Sequence, residues 1–301
     1  MKNQMKGIAA LLLGTVIWGS AFVAQSVGMD YIEPFTFQAV RCLLAVAGLL
    51  PAVAFSDRSK TDGKNFFSRW ADRKLWHAGV FCGIPLFIAS NLQQIGLVDV
   101  DAGKAAFLTA MYIVIVPLIG MCLGEKINKS IPFCVVLAVG GLYLLCGAAG
   151  GFELGDMALL GCAFAFAVQI TCVDRLSVGM DVLRLNLIQS LVCGILSTIV
   201  MFLREAPEIG AILDCTIPLC YAGFLSMGLA YSLQIYGQQI LPAAGASLIM
   251  SLESVFAALC GWMILHESMT ARELWGCALV FAAVILSQLP LENWFRKRAA
   301  V

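Results

Sequence analysis

The sequence predicts an all-α integral membrane protein of ten transmembrane helices, built as two inverted five-helix repeats around a central cavity. Three observations carry that expectation. The chain is 60% hydrophobic and only 13% charged, with a mean hydropathy of +0.89, whereas soluble chains carry about 25% charged residues. Its apolar stretches recur at about 20 residues, the length of a bilayer crossing. One stretch also occurs twice. Ser232 to Glu267, moved back 141 positions, lies on Asn91 to Glu125, with Leu233, Gln234, Gly237, Ala243, Ala246, Val255, Leu259 and Gly261 falling on Leu92, Gln93, Gly96, Ala102, Ala105, Val114, Leu118 and Gly120. A shared apolar composition alone gives about half that number of identities, so the stretch reads as a duplication.

A window of about 19 residues places the spans at 7–27, 34–55, 75–96, 103–123, 131–149, 156–173, 184–203, 215–237, 242–264 and 271–289. The first follows Lys2 and Lys6 and has the length of a span. Its Leu12, Leu13 and Gly14 recur as Leu159, Leu160 and Gly161, at an offset of 147, in the sixth. It is therefore expected to be a retained helix and not a cleaved signal. The second span carries Arg41. Between the second and third lies the only long polar segment, Ser56 to Lys74, and Asn65 to His77 sets Phe66, Phe67, Trp70 and Trp76 among basic residues. That pattern fits a short helix at the headgroup level or a solvated basic connector. The third and fourth spans hold the first copy of the duplicated stretch, and the eighth and ninth hold the second. The repeats occupy residues 1–149 and 150–301 as one integrated membrane domain. Each has five spans, an odd number, so the second copy crosses the membrane in the opposite sense, an arrangement typical of transporters that alternate access around a site between the repeats. The fall in offset from 147 to 141 needs a shorter connection in the second half, and the basic loop holds the excess.

Charge sets the orientation. Fifteen of the 19 Lys and Arg fall on the side of the termini, three (Lys104, Arg204, Arg272) on the other, and Arg41 lies within a span. Both termini are expected in the cytoplasm of a multi-pass cell-membrane protein.

The 12 Cys lie mostly in apolar runs without metal-type pairing and read as small buried residues. No metal or cofactor is expected, and no nucleic-acid partner. There is no phosphate-binding G-x-x-x-x-G-K-[ST] loop, so ATP hydrolysis is not expected. An intramembrane enzyme is disfavoured: His77 and His266 lie at loop edges, and neither H-E-x-x-H nor G-x-S-x-G occurs. The stripes Gly79 to Gly83 and Gly120 to Gly124 read as close helix contacts.

Polar residues within spans report either packing or a pathway. Glu253 stands about 15 Å deep in an otherwise apolar or small run, where a carboxylate is costly unless protonated, paired or facing a wet cavity. It reads as a proton carrier, as the partner of a substrate amine, or as half of a buried ion pair with Arg41. Arg41 itself has the alternatives of snorkelling or capping backbone carbonyls. Tyr112 is the repeat counterpart of Glu253, one turn from Thr109. Gln93 corresponds to Gln234, which neighbours Tyr231. Trp18 and Gln25 share a face of span one, as Asn91 and Gln94 share one of span three. Gln169, Asn186, Gln189 and Ser251 complete the candidate binding residues, each with an interhelical hydrogen bond as its alternative role.

The segments WGSAFVAQ from Trp18 to Gln25, AVRCLLAV around Arg41, FLTAMYIVIVPLIGMCLGEK in span four and SLESVFAALCGWMILHESMT in span nine resemble EamA-type members of the drug/metabolite transporter superfamily. Span nine has Ser254 where that pattern often has proline. The resemblance implies a basket in which spans one to four and six to nine line a cavity, with five and ten peripheral. It also implies a secondary transporter, acting as monomer or homodimer among membrane lipids, that exports small metabolites such as amino acids or related compounds, with protons as a candidate coupling ion. A flippase for lipids or lipid-linked sugars is the alternative on the same fold.

Overall fold

The structure is a computed structural model, and it describes residues 2–58, 66–125, 130–146, 154–264 and 270–288. The described chain is helical. α1 (Lys2–Met29) and α2 (Pro34–Arg58) are joined by a tight turn, and α3 (Phe66–Trp70) is a single short helix. Then follow α4 (Arg73–Asp99), α5 (Ala102–Ala110), α6 (Tyr112–Cys122), α7 (Ser130–Cys146), α8 (Leu154–Leu176) and α9 (Val182–Arg204). After α10 (Ile209–Asp214) and α11 (Thr216–Cys220), Tyr221–Ala230 winds as a π-helix into α12 (Tyr231–Gln238), and α13 (Ala243–Met250), α14 (Glu253–Ile264) and α15 (Ala271–Gln288) complete the fold.

Eight segments among the described residues are long and apolar enough to cross a membrane: α1, α2, α4, α5 with α6, α8, α9, α11 through α12, and α13 with α14. The other two expected spans fall on α7, whose apolar part Ser130–Leu144 is shorter, and on α15. Residues 147–149 and 289 of those expectations lie outside the described residues. α7 and α15 pack on each other, Gly141 so closely that a Cβ there would stand 2.8 Å from the Gly276 carbonyl oxygen.

Large apolar side chains on the rim point outward: Phe202 is 70% exposed and Ile217 84%. Such a surface is expensive in water and suited to lipid tails. The inside is the reverse, with Arg41, Gln94, Gln169, Asn186, Gln189 and Gln234 all buried.

Two expected features took a different form. Gly79 does seat α4 on α9, a Cβ there lying 2.4 Å from Ile188 Cγ2. Gly124, by contrast, follows the end of α6 at φ +83°, a left-handed conformation that glycine adopts without strain, so Gly120 to Gly124 terminates a helix. The aromatic segment after α2 is split between α3 and the first turn of α4, where Trp76 Nε1 donates to the Trp70 carbonyl at 2.8 Å. Residues 59–65 of that loop lie outside the described residues.

Spans four and nine are each interrupted at mid-length, which the sequence did not announce. At Met111 the ladder tightens: Met111 N–H donates to Leu108 O and Val114 N–H to Met111 O. At Leu252, 141 positions on, Leu252 N–H donates to Ile249 O and Ser254 N–H to Ser251 O. All four are three-residue bonds of the tighter 3₁₀ type. The second break needs no proline, and the Ser254 hydroxyl instead donates to Ala106 O at 2.9 Å, tying α14 to α5. Each interruption is followed at once by a candidate residue, Tyr112 in one span and Glu253 in the other.

Candidate functional site

A cavity lies at mid-height between α1, α2, α4, α6, α8, the π-helix, α12, α13 and α14. Its wall brings together Trp18, Gln25, Arg41, Gln93, Tyr112, Gln169, Tyr231, Gln234 and Glu253, with Phe22, Phe166, Ile170, Ser226 and Met250 between them. Only about 30 Å³ is open to the centres of water molecules, room for about two waters. α1 comes close because Gly19 lacks a side chain: a Cβ there would meet Phe256 Cβ at 2.4 Å and the Glu253 carbonyl oxygen at 2.8 Å.

Arg41 and Glu253 are the two formally charged residues of the wall, and each is buried. The Tyr112 hydroxyl donates to Glu253 Oε1 at 2.9 Å. The Arg41 guanidinium donates to Gln25 Oε1 and faces the Phe37 ring, 5.9 Å from its centroid. No ion pair joins Arg41 to Glu253 among the described residues. The pairing envisaged from sequence is therefore replaced by two separate contacts, one phenol on the acid and one amide on the base. The cavity wall thus carries one carboxyl and one guanidinium group, each hydrogen-bonded to a neutral partner.

Three polar atoms of the wall have no hydrogen-bond partner: Trp18 Nε1, Arg41 Nε and Gln234 Oε1. Buried groups are normally paired, and an exception calls for a ligand, a water or a functional role. All three belong to residues of the cavity wall, which therefore holds two donors and one acceptor without a partner. Trp18 is fixed by its edge-to-face contact with Tyr231, centroids 5.1 Å apart.

The remaining candidates sit behind the wall. Asn91 donates to Phe87 O at 2.8 Å and to Ser197 Oγ at 2.9 Å, a contact between α4 and α9. Gln94 donates to Gln25 O and Met29 Sδ, which leaves Gln93 as the member of that triplet on the cavity. Thr109 lies 3.5 Å from Gln93 Nε2. Ser251 returns its hydroxyl to Leu248 O at 2.8 Å. Asn186 and Gln189 belong to a chain of amides that starts at the wall. Gln234 Nε2 donates to Gln169 Oε1 at 3.0 Å, Gln169 Nε2 approaches Gln189 Oε1 at 3.4 Å, and Gln189 Nε2 donates to Asn186 Oδ1 at 2.9 Å. Asn186 Nδ2 then reaches Met227 O at 3.0 Å and Gly228 O at 2.8 Å. Those carbonyls belong to the π-helix, whose altered ladder leaves backbone acceptors for a side chain to satisfy.

The model of the EamA-like transporter family matches residues 5–147 and 153–289. The chain belongs to that family. As an EamA-type transporter of the drug/metabolite superfamily it resembles an uncharacterized transporter of Archaeoglobus fulgidus, 30% identical over 283 residues that cover 93% of this chain and 84% of that one. It also resembles the uncharacterized transporter YoaV of Bacillus subtilis, 22% identical over 294 residues, 95% and 97% of the two chains. The WAT1-related protein At3g02690, chloroplastic, of Arabidopsis thaliana is 24% identical over 293 residues, 92% of this chain and 68% of that protein. A crystal structure superimposes on this EamA chain with a TM-score of 0.76 at 18% identity, over 95% of this chain and 98% of the other, a likeness of fold.

Of the residues on the wall, Phe22, Phe166, Ile170, Ser226 and Met250 escaped the sequence reading. Apolar lining carries no signal in an apolar chain, and Ser226 lies in the π-helix. The repeat offset was the signal that did single out Tyr112 with Glu253 and Gln93 with Gln234.

Proposed function

We propose that this EamA chain is a secondary transporter that exports small zwitterionic metabolites, amino acids or compounds like them, by alternating access. In this reading ten spans form two inverted repeats, residues 1–149 and 150–301, with both termini cytoplasmic. The duplicated sequence, the family match in two stretches and the paired breaks at Met111 and Leu252 support it.

The observation that carries the substrate class is the cavity wall with one carboxyl and one guanidinium group. Glu253 and the unpartnered Gln234 Oε1 offer acceptors to an ammonium group, and Arg41 Nε and Trp18 Nε1 offer donors to a carboxylate. Buried polar groups left open in a low-dielectric site discriminate strongly in favour of a ligand that completes them. Glu253 receives either the substrate amine or a coupling proton.

The test is flux in proteoliposomes for a panel of amino acids, sugars and cationic drugs, with and without a proton gradient, in wild type and Glu253→Gln. Amino-acid movement that follows the gradient only with Glu253 intact supports the reading. Full flux in the variant removes Glu253 from the mechanism, and flux of sugars alone overturns the zwitterion.

A further inference from the structure

Where α4 begins and α8 finishes, a hollow has about 480 Å³ open to the centres of water molecules, against about 30 Å³ in the central cavity. Arg73, Lys74 and His77 wall it from the start of α4, Arg175 from the last turn of α8, and Val178 and Met180 from the turn that follows. No carboxylate lines it among the described residues.

The charges around it are unevenly met. Arg175 pairs with Glu125 at 2.8 Å, and Arg184, at the start of α9, is held by both Asp57 and Asp181. Asp72, next to Arg73 in sequence, caps α4 instead, its carboxylate accepting from Lys74 N–H at 2.9 Å. The side chains of Arg73, Lys74 and His77 have no acidic partner among the described residues. Basic groups at the start of a 27-residue helix also oppose its dipole, whose N-terminal end favours anions. A bound anion would offset both the mutual repulsion and the opposed dipole.

From the hollow α4 continues as one apolar stripe. His77, Phe81, Ile84 and Ile88 recur at steps of four, three and four and so share a face, and the three apolar members are exposed. The His77 and Phe81 rings, with centroids 4.3 Å apart, join the basic end to the apolar one. From His77 to Ile88 is about 16 Å of helix, about the depth of one leaflet's hydrocarbon. Trp76, exposed beside His77, is of the residue type that settles at the headgroup level. Outward apolar stripes are general to membrane spans. A stripe that ends in a basic hollow has the two-part shape of a phospholipid.

We propose that this hollow binds the phosphate of an anionic phospholipid, with Arg73, Lys74, His77 and Arg175 around the headgroup and an acyl chain along Phe81, Ile84 and Ile88. A free phosphate shares the headgroup's chemistry, and the stripe selects the lipid. On the topology proposed above the hollow faces the cytoplasmic leaflet, where basic clusters beside a span attract anionic lipid. The hollow is separate from the central cavity, and lipid binding there does not depend on what the protein transports.

Native mass spectrometry of the full chain tests this, in mixed detergent micelles holding equal amounts of phosphatidylglycerol and phosphatidylcholine. The wild type is expected to retain phosphatidylglycerol about tenfold over phosphatidylcholine, and Arg73→Gln with Lys74→Gln to bring the two near parity. These side chains are exposed; Lys74→Gln alone, with an expected loss of about threefold, serves if the pair fails to fold. Arg204→Gln with Arg272→Gln removes the same charge from exposed positions elsewhere and is expected to leave the preference unchanged. Excess inorganic phosphate is expected to leave most of the lipid bound. An equal loss in the two double variants would reduce the preference to a general effect of charge and overturn the site. Displacement of the lipid by inorganic phosphate would make the hollow a free-phosphate site and overturn the lipid, and a wild type without preference would overturn both.

Discussion

Spans four and nine have the same backbone event at positions 141 apart, yet the residue that follows it is a phenol in the first half, Tyr112, and a carboxylate in the second, Glu253. The tightened turn delivers each side chain to one point inside the protein, where the two meet at 2.9 Å. On the proposed duplication the shared geometry has a common origin, and the difference between Tyr112 and Glu253 supplies the chemistry. A pair of tyrosines would be a neutral contact, and a pair of glutamates would set two carboxylates against each other in a low dielectric. The asymmetric pair places one ionisable group and its own hydrogen-bond donor together.

The strongest way to break this comparison is Glu253→Gln. The amide retains an acceptor for the Tyr112 hydroxyl and nearly the same volume, and loses only the charge. If the charge is the working part, flux in proteoliposomes falls about a hundredfold, equivalent to about 2.7 kcal/mol, while thermal stability stays level or rises, since a buried carboxylate is costly. Retention of more than half the flux would mean that the two halves diverged without functional consequence.

Tyr112→Phe is the matching change in the first half. It leaves Glu253 in place without its donor, and the expected loss is about tenfold, equivalent to about 1.4 kcal/mol, in keeping with one hydrogen bond. Initial rates for the two variants in one preparation settle their order. A larger effect from Tyr112→Phe than from Glu253→Gln would reverse the assignment of the working residue.

How much of this was legible beforehand depends on what fixes each feature. The long spans follow from bilayer thickness, which demands apolar length regardless of neighbours, and α1, α2, α4, α8 and α9 each cover the stretch expected of them. The break at Leu252 was not legible, since no proline or glycine stands there and its support, the Ser254 bond to Ala106, comes from another span. The π-helix was hidden for the same reason: its carbonyls are satisfied by Asn186 on α9. Among Asn91, Gln93 and Gln94, sequence alone left the cavity-facing member undecided, because adjacent helical positions differ only by a rotation that packing determines. The offset supplied what local pattern lacked, by matching Gln93 to Gln234, and both lie on the cavity wall.

The π-helix gives a third way to sharpen the comparison, since the described α4 in the first half has no such segment. Asn186→Leu keeps the branched shape and removes the donor from Met227 O and Gly228 O, and it also strips Gln189 Nε2 of its acceptor. Stability is expected to fall by about 2 kcal/mol, read as a lower unfolding midpoint in detergent. Flux should fall with it, because the amide chain from Gln169 and Gln234 loses its anchor. An unchanged midpoint would mean that the π-helix stands without its side-chain cap.

Gln38, on α2, makes the smallest and most discriminating case. Its amide nitrogen donates to the Cys42 and Cys193 sulfurs, each at 3.2 Å, and thiols are weak acceptors. Its oxygen Oε1 is buried with no partner. Asn186 therefore completes strong backbone acceptors, whereas Gln38 carries an unmet acceptor of its own. Replacing a half-satisfied polar group by an apolar one of similar shape is neutral or stabilising. Gln38→Met is accordingly expected to leave stability unchanged or raise it by up to about 1 kcal/mol, read as an unchanged or higher unfolding midpoint, opposite in sign to Asn186→Leu. A loss as large as that of Asn186→Leu would show that the thiol contacts between α2 and α9 hold the helices together as firmly as Asn186 holds the π-helix carbonyls, and would remove the difference between the two amides.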